Sequence, residues 1–258
     1  MRLMKRILSA AAVLALSASL LVGCSSGTAS SVPVSASSAA ESTVSSVEET
    51  ASSAVDENEA AAAQLLNDLT GSYQELWPVI LADEYKQTWL DDCTALVGED
   101  NAEAAFEKLS SMVTGDVYGE DAVKAYANGG GAYFCGFTNS LATLTFDGET
   151  STISGTDKDG NVLFSHTYHY IGMEPVRGLY EFQSDDADSG EFTYFFLAPD
   201  TSAETYHIEF RYGSDAEALS QYDAGEYAYW LASGISTDCD QTMIDNCIKL
   251  FCTENLAG

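Results

Sequence analysis

Between Ala132 and Gly213 the chain offers seven strand-length runs and no run of helical spacing. They cover 132–137, 140–146, 149–154, 161–171, 178–184, 191–198 and 203–212, and most are rich in aromatic and β-branched residues. Asp147 with Gly148, Asp159 with Gly160 and Asp200 with Thr201 supply turn chemistry between them. Strands that follow one another without helices pair antiparallel, because short connections cannot make a parallel crossover. Roughly eight strands suffice to close a small barrel, and fewer leave edges that must be covered. The chain is therefore expected to be mostly β, a barrel or half-barrel packed on accessory helices.

The flanks read as helices. From Ala63, the residues Leu65, Leu66, Leu69, Tyr73, Leu76 and Trp77 step at three and four, with Gly71 as an interruption and Pro78 able to open a turn. Residues 84–97 place Tyr85, Trp89, Cys93, Leu96 and Val97 on one face, and 101–114 do the same with Ala102, Ala105, Phe106, Leu109, Met112 and Val113. Asp100 or Asn101 can cap the second of these. A short helix is expected over 120–127, and the glycines at 129–131 then break the pattern. After Gly213, short helices are expected at 215–220 and 226–232, with Gly234 and Ser236 breaking the chain. A last helix, capped by Asp238 or Asp240, puts Met243, Ile244, Cys247, Ile248 and Phe251 on one face and should dock on the sheet. The folded domain is thus expected over 63–258: a helical part at 63–127, a barrel at 132–213 and C-terminal helices at 214–258.

The first residues give the address. Arg2, Lys5 and Arg6 precede an apolar run, Ile7 to Val22, too short and wrongly flanked for a membrane span. The run ends in Leu21, Val22, Gly23 and Cys24, followed by Ser-Ser-Gly. That pattern predicts a lipoprotein signal over 1–23, with Cys24 acylated and the chain held on the extracytoplasmic side of the cell membrane. Residues 24–62 are dominated by Ser, Ala, Val, Thr and Glu, with no aromatic residue and no hydrophobic period. They cannot bury enough apolar surface to offset ordering and read as a disordered tether.

Charge excludes one class of partner. The chain has 10 basic and 40 acidic residues, and losing the signal removes three bases and no acids, leaving 7 against 40, a net −33. Such a surface repels nucleic acid and anionic lipid. Five cysteines follow Cys24, at 93, 135, 239, 247 and 252. Disulfides persist outside the cytoplasm, but an odd count leaves at least one thiol over. No pair has zinc-knuckle spacing, so buried thiols are the default.

Chemistry is sparse. On a strand, Thr205, His207 and Glu209 share one face, and Tyr206, Ile208 and Phe210 the other. A histidine and a carboxylate on one face are acceptable zinc ligands, and equally a satisfied polar pair. His166 and His169, three apart on a strand, face opposite ways, so only one can join His207. Asp185, Asp186, Asp188 and Glu191 lack the full calcium-loop pattern and read as a solvated turn. With three histidines and no nucleophile elbow, phosphate loop or carboxylate pair, no enzyme is expected.

Leu69 to Pro78 (LTGSYQELWP), the strand series, Thr205 to Gly213 (TYHIEFRYG) and Tyr227 to Ile235 (YAYWLASGI) together resemble the ZinT family of exported zinc-binding proteins, whose domain also forms the C-terminal part of AdcA-type zinc-uptake lipoproteins. The resemblance covers about Leu66 to Leu256. It implies a lipocalin-like (calycin) barrel and a zinc site built mainly from three histidines, two as His-x-His. His207 matches the second of that pair; Thr205 stands at the first and Phe195 at the third. Glu209 on the same face, or His169 from a neighbouring strand, would have to rebuild a site. Two functions follow as expectations. One is a lipid-anchored protein that binds zinc, buffering it or passing it to a metal importer. The other is a barrel that has lost its metal and binds an apolar small ligand or a protein partner.

Overall fold

The alternation along the aromatic runs becomes a closed wall in the computed structural model, which describes residues 57–127, 131–198 and 207–257. Eight strands build it: β1 (Gly71–Glu75), β2 (Thr143–Asp147), β3 (Thr152–Thr156), β4 (Val162–Met173), β5 (Tyr180–Ser184), β6 (Tyr194–Leu197), β7 (His207–Gly213) and β8 (Ala232–Ser236). Each pairs antiparallel with the next, and β1 pairs with β8, so no edge is left open. This is the up-and-down closure used by lipocalin-type barrels. The expected mostly-β barrel with accessory helices is present.

Rings fill the barrel. Tyr170, Phe182, Phe195 and Tyr212 stand opposite one another along successive strands, and Phe146, Phe210 and Trp230 join the same buried cluster. Phe195 and Tyr212 stack at 5.4 Å, Phe164 and Phe192 at 3.9 Å, and Tyr212 meets Trp230 edge-on at 4.9 Å. The Tyr212 hydroxyl is satisfied inside this apolar packing: it donates to the Thr138 carbonyl at 2.9 Å and accepts from the Thr138 N–H at 2.6 Å. Such interdigitated rings each remove a large apolar area from water.

Helices flank the barrel, and the second, third, fourth and seventh of them pack together as a layer. The helices are α1 (57–68), α2 (Leu76–Ile80), α3 (Lys86–Val97), α4 (Glu99–Val113), α5 (Glu120–Tyr126), α6 (Ala216–Leu219) and α7 (Gln241–Leu256). Asp240 caps α7, its side chain accepting from the Met243 N–H at 3.0 Å. Trp77, Trp89, Cys93, Leu109, Ile248 and Cys252 form a second buried cluster, and Ile235 of β8 joins it from the barrel wall. Trp89 donates to the Ile80 carbonyl at 2.7 Å, and Trp77 meets Phe251 of α7 at 4.8 Å.

Three expectations are corrected. The barrel is not confined to 132–213: β1 lies inside the segment read as helical and β8 inside the segment read as a helix and a break. Tyr73 alone could sit on either a helical stripe or a strand; pairing with β2 and β8 decided, with Ser72 and Thr145 joining hydroxyls at 2.8 Å. Residues 132–137 form no strand, contributing only isolated bridges at Phe134. The lipoprotein signal, Cys24, most of the tether, and Thr205 lie outside the described residues.

Candidate functional site

Parity along β7 sends its side chains to two different places. Ile208, Phe210 and Tyr212 enter the barrel core. His207 and Glu209, both half-buried, face the helical layer. His207 stands opposite Ile235 and Glu209 opposite Ser233 on β8, so both lie over the wall that the helices cover. There they line a cavity of about 40 Å³ with Trp77 and Ile80 of α2 and with Cys247, Phe251 and Glu254 of α7. Cys247 and Glu254 are two helical turns apart and so share the face of α7 that meets β7.

The pocket therefore gathers an imidazole, two carboxylates and a thiol beside an indole. A fifth group stands close: burial first, and then the Glu209 carboxylate, push the Cys135 thiol up to about 12. Imidazole, carboxylate and thiolate are all zinc donors. Their placement does not assemble a centre, because among the described residues no three His, Cys, Asp or Glu side chains stand together as one ion would require. The donor types suit zinc; the arrangement as it stands does not.

The other histidines belong elsewhere. His169 sits on β4, separated from β7 by β5 and β6. It is not on a neighbouring strand and does not complete the His207 pocket. Instead its Nδ1 lies 2.6 Å from Asp185 Oδ1, while His166 Nδ1 lies 2.7 Å from Asp186 Oδ2. The two histidines do face opposite ways, and adjacent aspartates clasp one from each side.

Phe195 brings a second correction. It pairs with Tyr212 and points into the ring-filled barrel, while His207 points out of it. The position that the sequence resemblance matched to a third ligand, and His207, are thus on opposite faces of the wall. Glu209 is the one expected partner that the fold keeps beside His207. Cys247 and Glu254 were not among the expected ligands; their seven-residue spacing was readable, but their neighbour was not.

No family model matches the sequence, and no curated protein is significantly similar to it. Among solved structures, the Zn(II)-bound ZinT-like domain of Streptococcus pneumoniae AdcA is similar at 15% identity and a TM-score of 0.45, over 71% of this chain and 89% of that domain. The Zn(II)-bound whole AdcA of the same organism is similar at 14% identity and a TM-score of 0.42, over 72% of this chain, which spans only 35% of AdcA. The barrel assignment stands on its own strand pairing.

Proposed function

We propose that the chain is an exported, lipid-anchored binding protein, not an enzyme, that takes up a divalent metal, zinc by its donor chemistry, in the pocket between β7 and α7. The observation that carries this is the convergence of His207, Glu209, Cys247 and Glu254 on one small cavity from two separate elements. The resemblance of the sequence to exported zinc-binding proteins supports it, as does a leader ending in an acylatable Cys24. Buffering of the metal, or delivery to an importer, is the role such an anchor and site would serve. Because the donors are not assembled, binding includes the cost of side-chain rearrangement and is weaker than at a preformed three-histidine site.

Equilibrium dialysis of the mature full-length chain in detergent against zinc tests this. One saturable site tighter than about 1 mM is expected, weakened about tenfold or more by His207→Ala. Since ligands must shed protons, affinity should fall with acid. Binding no tighter than about 1 mM, or unchanged by His207→Ala, defeats the proposal.

A second reading, an apolar small-molecule binder, is favoured by a groove of about 370 Å³ outside the barrel, lined by Trp77, Pro78, Leu81, Val113 and Phe134. The ring-filled barrel itself gives such a ligand no support. A fluorescent apolar probe displaced by fatty or aromatic compounds, with zinc without effect, would favour this reading over the first.

A further inference from the structure

Among the described residues, Cys93, Cys135, Cys239, Cys247 and Cys252 are not joined in disulfides. Two of them meet. The Cys93 sulfur on α3 and the Cys252 sulfur on α7 stand 3.9 Å apart, and neither residue has exposed surface. A disulfide needs sulfurs about 2.05 Å apart, so about 1.9 Å remains to close. The others are placed differently. Cys135 directs its thiol to the Tyr133 carbonyl at 3.8 Å, Cys247 lines the β7 pocket, and Cys239 lies half-exposed just before α7.

We propose that Cys93 and Cys252 are joined by a disulfide in the exported chain, stapling α7 to α3. The bond would tie positions 159 apart in sequence. Closing so long a loop restricts the unfolded chain strongly. It would also fix α7, which presents Cys247 and Glu254 to the β7 pocket. A thiol without exposed surface is out of reach of an oxidant, so the exchange belongs to the folding chain, before α7 docks. The thiolate of one cysteine attacks a small-molecule or protein disulfide and releases one thiol from it. The second cysteine's thiolate then displaces the other thiol from the mixed disulfide. Two protons and two electrons leave the pair, and the oxidant departs as two thiols.

The inference rests on the export proposed above and not on metal binding. The sequence makes the test unambiguous. Trypsin places Cys93 in Gln87–Lys108 and Cys252 in Leu250–Gly258, with Cys135 in Ala125–Lys158 and Cys239 and Cys247 together in Tyr212–Lys249. The full chain is alkylated at lysis, digested without reductant and examined by mass spectrometry. In parallel it is refolded with oxidised glutathione. The expected result is those two peptides linked in both samples and separated by reductant, with Tm falling by roughly 5–15 °C on reduction. Cys93→Ala, Cys252→Ala and the double variant should share one Tm that no longer responds to reductant. Both peptides recovered alkylated from both samples overturns the pairing. Linkage after refolding but alkylation in cells overturns the export on which the bond depends and leaves the pairing standing.

Discussion

Arg211 carries a guanidinium with no exposed surface, on the same face of β7 as His207 and Glu209. It donates to the carbonyls of Leu219, Gln221 and Tyr227, and its guanidinium lies 4.4 Å from the Tyr222 ring. Those carbonyls belong to the end of α6 and the chain that follows it towards β8, which one side chain thus ties together. Burial holds the Arg211 cation down to about 10. Arg211→Met keeps the stem and strands three carbonyl oxygens, so a loss of about 3 kcal/mol is expected in urea unfolding. Unchanged stability would show the segment is held by other contacts. Phe195 makes the opposite kind of prediction. Phe195→His supplies the ligand type that the sequence resemblance implied there, but inside the barrel. It should lower stability by about 2–4 kcal/mol and leave zinc affinity unchanged. A gain in affinity would show that the 195 side chain reaches the His207 side after all.

α7 is the element on which the pocket depends. Its sequence gives a capped amphipathic helix, and its buried face reads Ile244, Cys247, Ile248 and Cys252. Ile248 has no exposed surface and sits in the cluster with Trp89 and Leu109. Ile248→Ala should cost about 2–5 kcal/mol. It should also weaken zinc uptake, because Cys247 and Glu254 keep their places only while α7 stays docked. If stability falls and affinity does not, α7 contributes no donor and the pocket reduces to β7. The β1–β8 pair is the other decisive element: it converts an open sheet into a barrel and places α2, which follows β1 directly, against the same pocket.

For the whole molecule, buried acids of high pKa set an alkaline limit. Burial, with the Glu174 carboxylate next, raises Tyr222 to about 12, and burial raises Tyr168 and Tyr212 as well. Cys135 moves to about 12 for the same first cause. Each folded value lies above the unfolded one. The folded state therefore binds more protons from about pH 9–10 upward, and this stabilisation is lost as pH rises through the folded values. Arg211, depressed to about 10, works the other way between about pH 10 and its unfolded value. One group against several leaves a net loss. Between pH 8 and 11 stability should drop on the order of 5 kcal/mol, enough to unfold many domains. Urea unfolding followed by far-UV circular dichroism at both pH values reads this directly; an equal midpoint would mean these groups titrate normally in the fold.

Period-two alternation and turn residues were enough to read β2 to β7, because those strands carry one apolar face each. The 3.6-period stripes likewise gave α3, α4 and α7. The closing strands were not legible. Residues 71–75 are no shorter than several strands that were read, but they sit in a run whose apolar residues step at three and four. Residues 232–236 (ASGIS) carry small residues and a glycine with no clear alternation. Pairing with β2, with β7 and with each other makes them strands. The same-face reading of His207 and Glu209 was legible from parity alone. Which face was not, since parity separates two sides without saying which is the inside. The sequence by itself determined the β-rich class, the helical flanks, the acidic charge and the pairing of His207 with Glu209, all of which follow from local spacing and composition. Only the tertiary structure decided that the sheet closes, that His207 faces α7 and not the rings, and that His169 stands three strands away. Those depend on contacts between residues far apart in the chain, which no local pattern encodes.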